Sequence, residues 1–404
     1  MARKPARTGA AAAVAIGAIV IAVPGLLAGG EAARTQACPE PCTWERTFGG
    51  AREDKAYAVA PLADGGVLVA GNSRSFAMRY DAWIVRLDPA GEPVWERSFG
   101  GRDTDQVYGL VATGDGGALA VGHTRSSGAG ESDVWLIRLD GDGTLVWEQT
   151  LGTRGNDRAR TAAPAPDGGF FVGGFQAGSG PGDRDAWLLR VDADGEPVWE
   201  RRFGGPGDDG VFHVAALPDG GAAMTGHART GGGRGFDLWV ARLAADGTVA
   251  WERWFDRSRF DAGTAVVPLP DGGLAVAGVS ERDDADKRLD IWILGLDADG
   301  TERWQRLLGG DGNDGAWGAV AADGGLLIGA ATESWGAGST DAWILRLDGA
   351  GAVLWERLYG GALWDRPTAV TAIAGGFVVA GYTTTSGAGF EDYWLLRLDA
   401  EGRL

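Results

Sequence analysis

The chain of 404 residues has few of the side chains on which most catalytic and metal sites depend: three histidines, two cysteines and three methionines. Two cysteines in this length fit neither a disulfide-stapled scaffold nor a four-thiolate zinc site. Basic residues are also in the minority, with 37 against 55 acidic residues and a formal net charge of −18. That charge has the wrong sign for tracking a phosphate backbone, so we expect no nucleic acid among the partners.

The chain has a single long uncharged run, which lies at its start. Residues 9–27 consist mainly of Ala, Val, Ile and Gly and follow three basic residues, which is the pattern of an export signal. We expect residues 1–37 to be a signal peptide that is removed, although Pro24 and the length of the run leave an uncleaved membrane anchor open. The sequence therefore predicts an exported protein, outside the cell or in its envelope.

Residues 38–42 read Cys-Pro-Glu-Pro-Cys and are assigned as a short linker. Cys38 and Cys42 could form a small disulfide in an oxidising compartment, or Cys38 could carry a lipid. The disulfide is better supported, because residues 35–37 lack the aliphatic side chain that usually precedes a lipidated cysteine. Membrane contact is expected only through the first segment, if it is uncleaved, or through such a lipid.

The remainder of the chain, residues 43–404, is a sevenfold repeat. Trp-Glu-Arg or a near variant recurs at intervals of 51 to 53 residues, and Asp-x-Trp recurs with it. The first motif begins at Trp44, Trp95, Trp147, Trp199, Trp251, Trp304 and Trp355, and the second at Asp81, Asp133, Asp185, Asp237, Asp290, Asp341 and Asp392. Periods near fifty residues are typical of propellers and related arrays.

One repeat reads as four short strands. In the first complete unit they are expected at residues 57–62, 67–71, 81–88 and 94–99. Asp64-Gly65 is the residue choice for a two-residue hairpin turn between the first two strands, and Gly91 fits the left-handed position of a three-residue loop between the last two. Outside the signal, no stretch has a convincing helical period.

The ends of the array predict how it closes. The last repeat stops before its fourth strand, whereas residues 43–48 form a fourth strand that precedes the first complete unit. Pairing the two ends completes a ring and removes the exposed strand edges that an open stack would keep. We therefore predict an all-β, seven-bladed β-propeller of four-stranded antiparallel blades, closed by an N-terminal strand that completes the last blade.

The motifs Gly-Gly-x-x-x-Asp-x-Ala, Asp-Gly-Gly and Asp-Ala-Trp-Ile-x-Arg-Leu-Asp resemble the repeat of secreted bacterial seven-bladed β-propeller proteins over residues 43–404. The resemblance implies that the strand with Tyr57 lies nearest the axis and the strand with Trp95 lies outermost. It implies no settled activity, because that family is mostly defined by its repeat. The seventh unit departs from the pattern, with Ala374 in place of the turn aspartate.

Fourteen of the 18 tryptophans belong to the two repeated motifs, and large flat side chains at a fixed strand position favour blade packing over sugar stacking. Trp254, Trp317, Trp335 and Trp364 lie outside the motifs. Because Trp335 and Trp364 fall in loops predicted on the same face, they are the aromatic candidates for ligand binding.

An aspartate follows each Gly-Gly corner in all seven units. The members are Asp54, Asp105, Asp157, Asp209, Asp261, Asp314 and Asp365. Repetition in every blade favours a structural role in which each carboxylate accepts backbone N–H bonds and fixes a loop. The alternative is a cation site at the axial mouth, with Ca²⁺ as the metal; otherwise we expect no cofactor.

An arginine also recurs in the Asp-x-Trp strand and a glutamate in the Trp-Glu-Arg strand. In the three-residue loop geometry, Arg86 and Glu96 lie diagonally on one face of the hairpin. The sequence therefore predicts an Arg–Glu pair in six blades, with Arg397 and Glu45 as the pair that closes the ring. The fifth blade lacks it, because Gly295 and Gln305 replace the two charges.

The three histidines give no catalytic pattern. No Gly-x-Ser-x-Gly elbow accompanies them, so a serine triad is unsupported. His123 and His227 occupy matching places just after the second strand of their blades and are expected to face the loops, which makes them further ligand candidates.

Variation concentrates in the segments before Asp-x-Trp, at residues 74–80, 125–132, 176–184, 228–236, 281–289, 332–340 and 383–391. A constant frame with divergent loops on one face is typical of a binding scaffold, for which a protein or an envelope glycan is the expected partner. The alternative is an enzyme, a lyase or hydrolase with or without a metal, that uses carboxylates at the axial mouth. A catalytic centre should break the repeat in one or two blades, whereas a purely structural surface protein should bind no ligand.

Overall fold

The computed structural model describes residues 42–178, 184–229, 235–282 and 287–404. The predicted signal peptide, residues 1–37, and Cys38 lie outside these ranges. Cys42 is not a free thiol, and the choice between a disulfide and a lipid at Cys38 stays a prediction. No helix in the described part of the chain is long and apolar enough to cross a membrane.

The described residues form 28 β-strands. In chain order these are β1 (Trp44–Phe48), β2 (Asp54–Pro61), β3 (Val67–Ser73), β4 (Asp81–Leu87), β5 (Pro93–Phe99), β6 (Asp105–Ala112), β7 (Ala118–Thr124), β8 (Asp133–Leu139), β9 (Leu145–Leu151), β10 (Arg158–Pro164), β11 (Phe170–Ala177), β12 (Arg184–Val191), β13 (Pro197–Phe203), β14 (Gly210–Ala216), β15 (Ala222–Ala228), β16 (Asp237–Leu243), β17 (Val249–Phe255), β18 (Asp261–Pro268), β19 (Leu274–Glu281), β20 (Leu289–Leu296), β21 (Glu302–Leu308), β22 (Asp314–Ala322), β23 (Gly325–Thr332), β24 (Asp341–Leu347), β25 (Val353–Tyr359), β26 (Asp365–Ile373), β27 (Gly376–Thr383) and β28 (Asp392–Asp399).

Seven four-stranded antiparallel sheets form the blades of a ring. Blade 1 has the order β2-β3-β4-β5, blades 2 to 6 continue in the same way, and blade 7 has the order β26-β27-β28-β1. Neighbouring inner strands contact one another, including β2 with β26 across the closure. The predicted fold class and the completion of the last blade by the N-terminal strand are therefore confirmed, with Trp44 opposite Arg397 in the closing pair.

The outer tryptophan of each blade packs on a turn glycine of the next blade. Gly91 has a φ of +80°, and a Cβ placed there would lie 2.8 Å from the Trp44 ring. The Trp44 indole also donates to the carbonyl of Pro89 at 3.1 Å. Gly91 has no Cβ, and the Trp44 ring packs directly against its backbone. The tryptophan ladder therefore fixes the spacing of adjacent blades, as the sequence predicts.

The three-residue outer loop is confirmed, since Asp88 N–H donates to Glu92 O at 2.9 Å. The first hairpin of blade 1 differs from the prediction. Leu62 pairs with Gly66 around a three-residue loop in which Gly65 has a positive φ. A two-residue turn with two positive φ values occurs instead in blade 6, at Asp323 and Gly324. Asp-Gly is compatible with both turn types, because glycine takes the left-handed position in each and aspartate tolerates the second positive φ of the two-residue turn.

The predicted Arg–Glu pairs are wrong. A bulge at the start of β5 places Arg86 opposite Trp95, and Glu96 opposite Val85, so the two charges lie on opposite faces of the sheet. The closing blade has the same register without a bulge in the β1–β28 pairing, so Arg397, opposite Trp44, and Glu45, opposite Leu396, also lie on opposite faces. One extra residue in a strand reverses the face of every side chain beyond it, and the sequence gives no direct sign of this bulge.

The two charges have other partners that recur. Arg86 pairs with the turn residue Asp64 of its own blade at 2.8 Å. In five blades the glutamate position instead accepts the indole N–H of the Asp-x-Trp tryptophan, as Glu148 does from Trp135 at 2.7 Å. In blade 5, Arg303 replaces the missing strand arginine and binds the turn residue Asp271.

Candidate functional site

Every inner strand contains a β-bulge at the same position. The register shifts around one extra residue, which in the seven blades is Tyr57, Tyr108, Arg160, Phe212, Thr264, Trp317 and Thr368. All seven residues line both cavities on the propeller axis. We call this set the axial ring. A β-bulge changes the direction of a side chain, so the bulge in each inner strand directs one residue per blade towards the axis.

The axial ring separates two chambers. The lower chamber has a volume of about 180 Å³ and includes His213 and Val370 in its wall. The upper chamber has a volume of about 320 Å³ and adds Arg366 and Tyr382. It lies nearer the loop face, since Arg366 directly follows the first residue of β26. A volume of a few hundred cubic ångströms is that of a small-molecule pocket.

Arg160 is the charged member of the axial ring. Its guanidinium lies over the rings of Tyr108 and Phe212, at 5.7 and 5.3 Å from their centroids. Its Nε atom is buried and has no hydrogen-bond partner, and the same holds for Nε of Arg158. Burial lowers the pKa of Arg160, because the charged form loses hydration. Aromatic faces on two sides hold this cation in one orientation.

A second cation stacks across the chamber. The Arg366 guanidinium lies 4.0 Å from the centroid of Trp317, and the Tyr57 and Tyr108 rings meet edge to face at 5.2 Å. Lys55 differs from the arginines, because it pairs with Glu391 at 2.8 Å. The upper chamber thus combines arginine forks with aromatic walls.

The loop face carries exposed apolar side chains, two of which, Trp335 and Trp364, were predicted as ligand candidates. Trp335 and Trp364 are 42% and 51% exposed, and Met78 and Phe390 reach 90% and 73%. Trp364 lies between the loops of two blades, since it bridges to Thr340 and its carbonyl accepts Thr384 N–H at 2.8 Å.

With Leu363, which is also exposed, these residues occupy blades 6, 7 and 1, which are consecutive in the ring. We call Met78, Trp335, Leu363, Trp364 and Phe390 the apolar arc. It unites the two tryptophans selected from the sequence with three residues that were not selected.

The histidines do not face the loops, contrary to the prediction. His123 lies within β7, is 1% exposed and stacks on Tyr108 at 5.8 Å. His227 lies within β15 and packs edge to face against Phe212 and Phe236. Burial, with nearby arginine charges, lowers the pKa of His123 to about 3 and that of His227 to about 4. The second strands run further than the sequence suggests, as β3 does by two residues, so these histidines lie within strands and are enclosed by the blades.

His213 differs from the other two histidines, because it lines the lower axial chamber. It occupies β14 and accepts Val266 N–H of the next blade at 3.3 Å. Burial lowers the pKa of His213 to about 4.

The seven candidate metal-ring aspartates are all buried. Each accepts the backbone N–H of the residue four positions earlier, as Asp54 does from Gly50 at 2.8 Å. Asp54 also accepts the Ser75 hydroxyl at 2.6 Å. None of the seven lines either axial chamber, so the ring lies within the loops and off the axis. In the described ranges no three His, Cys, Asp or Glu side chains converge as a metal site.

The Gly-Gly corner is explained by two carboxylates that meet there. In the corner between blades 1 and 2, Gly101 N–H donates to Asp105 at 2.7 Å. A Cβ on Gly100 would lie 2.4 Å from Asp81 Oδ1, an oxygen that has no hydrogen-bond partner. Burial and the nearby Asp105 charge raise the pKa of Asp81 to about 7. The pKa values of Asp133, Asp341 and Asp392 are raised for the same reasons.

Comparison with known proteins supports the fold and leaves the activity open. No family model matches the chain. Over 141 residues the chain is 27% identical to Regulatory protein FlaEY of Caulobacter vibrioides, a match that covers 29% of this chain and 15% of that protein. The chain therefore spans only a small part of this curated relative.

Solved structures, among them two β-propeller domains, are similar over most of the chain. Puromycin hydrolase aligns with a TM-score of 0.55 at 20% identity, covering 88% of this chain and 53% of that one. The WD40 β-propeller domain of Doa1 aligns with a TM-score of 0.51 at 10% identity, covering 87% and 95%. The β-propeller domain of the Trilobed protease from Pyrococcus furiosus aligns with a TM-score of 0.50 at 12% identity, covering 86% and 96%. At such identities the likeness concerns the fold alone.

Proposed function

We propose that this chain is an exported binding protein that recognises a protein or a glycan of the cell envelope with the loop face of the propeller. The observation that carries the proposal is the apolar arc on three consecutive blades. Exposed aromatic side chains that cluster on one face are typical of interaction sites, since water leaves them at little cost when a partner docks.

The division between frame and loops supports recognition. The tryptophans and aspartates of the frame use their polar atoms in hydrogen bonds within the propeller, as Trp44 and Asp54 do. At the positions of Phe390 and Trp364 the other blades have different residues. Sequence variation on a rigid scaffold is how one fold presents different binding surfaces.

The placement of titratable groups supports binding over catalysis. A general base must reach a substrate proton and needs a pKa near the working pH. His123 and His227 are enclosed by the blades, His213 lines the lower axial chamber, and burial lowers the pKa values of all three. The carboxyls with raised pKa values recur at several blade junctions, which is the distribution of a frame feature and not of one catalytic centre.

The test compares two exposed tryptophans in the full chain. Trp364→Ala alters the apolar arc, and Trp254→Ala alters β17, where the side chain is 47% exposed and so matches Trp364 in accessibility. Retention is measured on isolated cell-wall glycan and, by cross-linking, on envelope proteins. We expect Trp364→Ala to lose about tenfold in affinity, because a central aromatic anchor is commonly worth that much, and Trp254→Ala to bind normally. Equal retention of the two variants, or no retention of the unaltered chain, contradicts the proposal.

We further propose that binding needs no metal. In support, the Asp54-type carboxylates already accept N–H bonds from their loops. Thermal unfolding with and without Ca²⁺ tests this, since a cation that binds only the native state raises Tm. A large rise would revive the calcium alternative.

Export through removal of residues 1–37 belongs to the same proposal. N-terminal sequencing of the protein recovered from its source would give Cys38 as the first residue. A blocked, lipid-bearing Cys38 or an intact N-terminus would support an anchored form instead.

A further inference from the structure

The upper axial chamber has a charge opposite to that of the whole protein. The chain carries a formal net charge of −18, yet the chamber wall contains Arg160 and Arg366 and no acidic side chain among the described residues. Neither arginine has a carboxylate within ion-pair distance in the described ranges, in contrast to Lys55, which pairs with Glu391. A cation without a counterion in a half-buried site is costly, so a fold normally supplies one.

The arginines are also held in place. Arg160 is packed between Tyr108 and Phe212, and Arg366 stacks on Trp317. The buried Nε atoms of Arg158 and Arg160 have no partner. A guanidinium that is fixed by aromatic faces loses little freedom when it binds an anion, because its fork is already oriented.

We propose that the upper axial chamber binds a small cyclic compound that bears a carboxylate. Arg160 and Arg366 bind the carboxylate. Trp317, Tyr57 and Tyr108 stack on the body of the ligand. Guanidinium forks match carboxylate oxygens in geometry and charge. Aromatic walls select a flat or ring-shaped body.

The size of the site limits the ligand. A chamber of about 320 Å³ accepts one or two rings and not a folded partner. Acidic sugars and aromatic acids share this chemistry. The chamber is separate from the apolar arc, so this inference does not depend on the proposed partner of the loop face.

The experiment uses the full chain and two probes, glucuronate and benzoate, with glucose as the neutral control, in isothermal titration calorimetry. We expect saturable binding of at least one acid and none of glucose. Binding of glucuronate alone assigns an acidic sugar, and binding of benzoate alone assigns an aromatic acid. Arg160→Met and Arg366→Met should each weaken binding about tenfold or more, since each removes a charge-assisted hydrogen bond.

The control is Arg102→Met, which removes the same charge from an exposed corner of the disc and should leave binding unchanged. Thermal unfolding of the unliganded proteins excludes a folding defect. Arg160→Met should unfold at the same temperature or higher, because it deletes a cation that has no carboxylate partner among the described residues, while methionine keeps an apolar contact with Tyr108 and Phe212. Equal binding by Arg160→Met and the unaltered chain, or no saturable binding of either acid, overturns the proposal.

Discussion

The outer tryptophan position and the axial ring position each occur seven times, yet they follow opposite rules. The outer position holds tryptophan in every blade, whereas the axial position holds five residue types. Trp44 packs on Gly91 and donates to a carbonyl of the next blade. Arg160 keeps an Nε atom without a partner.

The difference between the two positions comes from what each side chain contacts. A side chain that must fit the adjacent blade has one solution, which the repeat copies. A side chain that faces a cavity meets no protein neighbour on that side, so it can differ from blade to blade. Positions that vary inside an otherwise strict repeat are therefore where this scaffold has room for function.

The largest loss of stability is expected for Trp44→Ala. The change leaves a cavity at the ring closure and removes an indole hydrogen bond, so we expect the free energy of unfolding to fall by about 3 to 5 kcal/mol. Trp364→Ala, in the apolar arc, is the matched substitution and should change it by no more than about 0.5 kcal/mol. Urea unfolding of both variants checks the contrast, and similar losses would show that the loop face is also part of the frame.

A graded glycine series sharpens the same contrast. Gly91→Ala combines a positive φ with a clash against Trp44, and should cost about 2 to 4 kcal/mol. Gly375 has a φ of +78° but open space around it, so Gly375→Ala should cost about 1 kcal/mol. Gly114 has neither restriction, and its alanine variant should be neutral within about 0.5 kcal/mol. A different order of unfolding free energies would refute the packing role of the turn glycine.

The blade junction predicts a pH effect. The pKa of Asp81 is about 7 in the folded protein and 3.8 ordinarily, so the folded state retains a proton that the unfolded state has lost. Stability therefore rises as the pH falls from about 7 towards 4. Asp81→Asn, which removes the charge, should be more stable than the unaltered chain by about 1 to 2 kcal/mol at pH 8, after allowance for solvent screening.

That advantage of Asp81→Asn should shrink to nothing near pH 4, as followed by urea unfolding at each pH. Asp115 is the control of opposite sign, because its hydrogen bonds with Thr113 and Arg138 outweigh burial and lower its pKa to about 2. Asp115→Asn should therefore destabilise at pH 8 and lose this effect as the pH approaches 2. An advantage of Asp81→Asn that is independent of pH would contradict the raised pKa.

The smallest effect is expected where the frame already tolerates a change. Gln305 accepts the Trp292 indole N–H at 3.0 Å in blade 5, as Glu148 does from Trp135 in blade 2. Glu148→Gln should therefore alter the free energy of unfolding by less than about 0.5 kcal/mol, whereas Glu148→Ala should cost about 1 kcal/mol. A large loss in Glu148→Gln would mean that the negative charge, and not the hydrogen bond, is what the frame requires.

Much of the frame could be predicted from the chain, and much of the site could not. The tryptophan and aspartate series gave the number of blades, the strand order and the closure by β1. The Arg86 and Glu96 pairing failed because one bulge in β5 reverses the faces. Trp335 and Trp364 were selected because they interrupt the repeat in loops, and the structure gives both as exposed, while their role in binding stays a prediction. The axial ring was missed, although the residue three after each corner aspartate varies in type, because a strand position gives no sign of facing a cavity.

By itself, the sequence determined the repeat and its closure, because burial of the same apolar face seven times requires the same residues at the same spacing. Only the tertiary structure decided which of the varying positions lie together around the axial chamber. Tyr57 and Thr368 are far apart along the chain and line one chamber, because ring closure and a bulge in each inner strand bring them there.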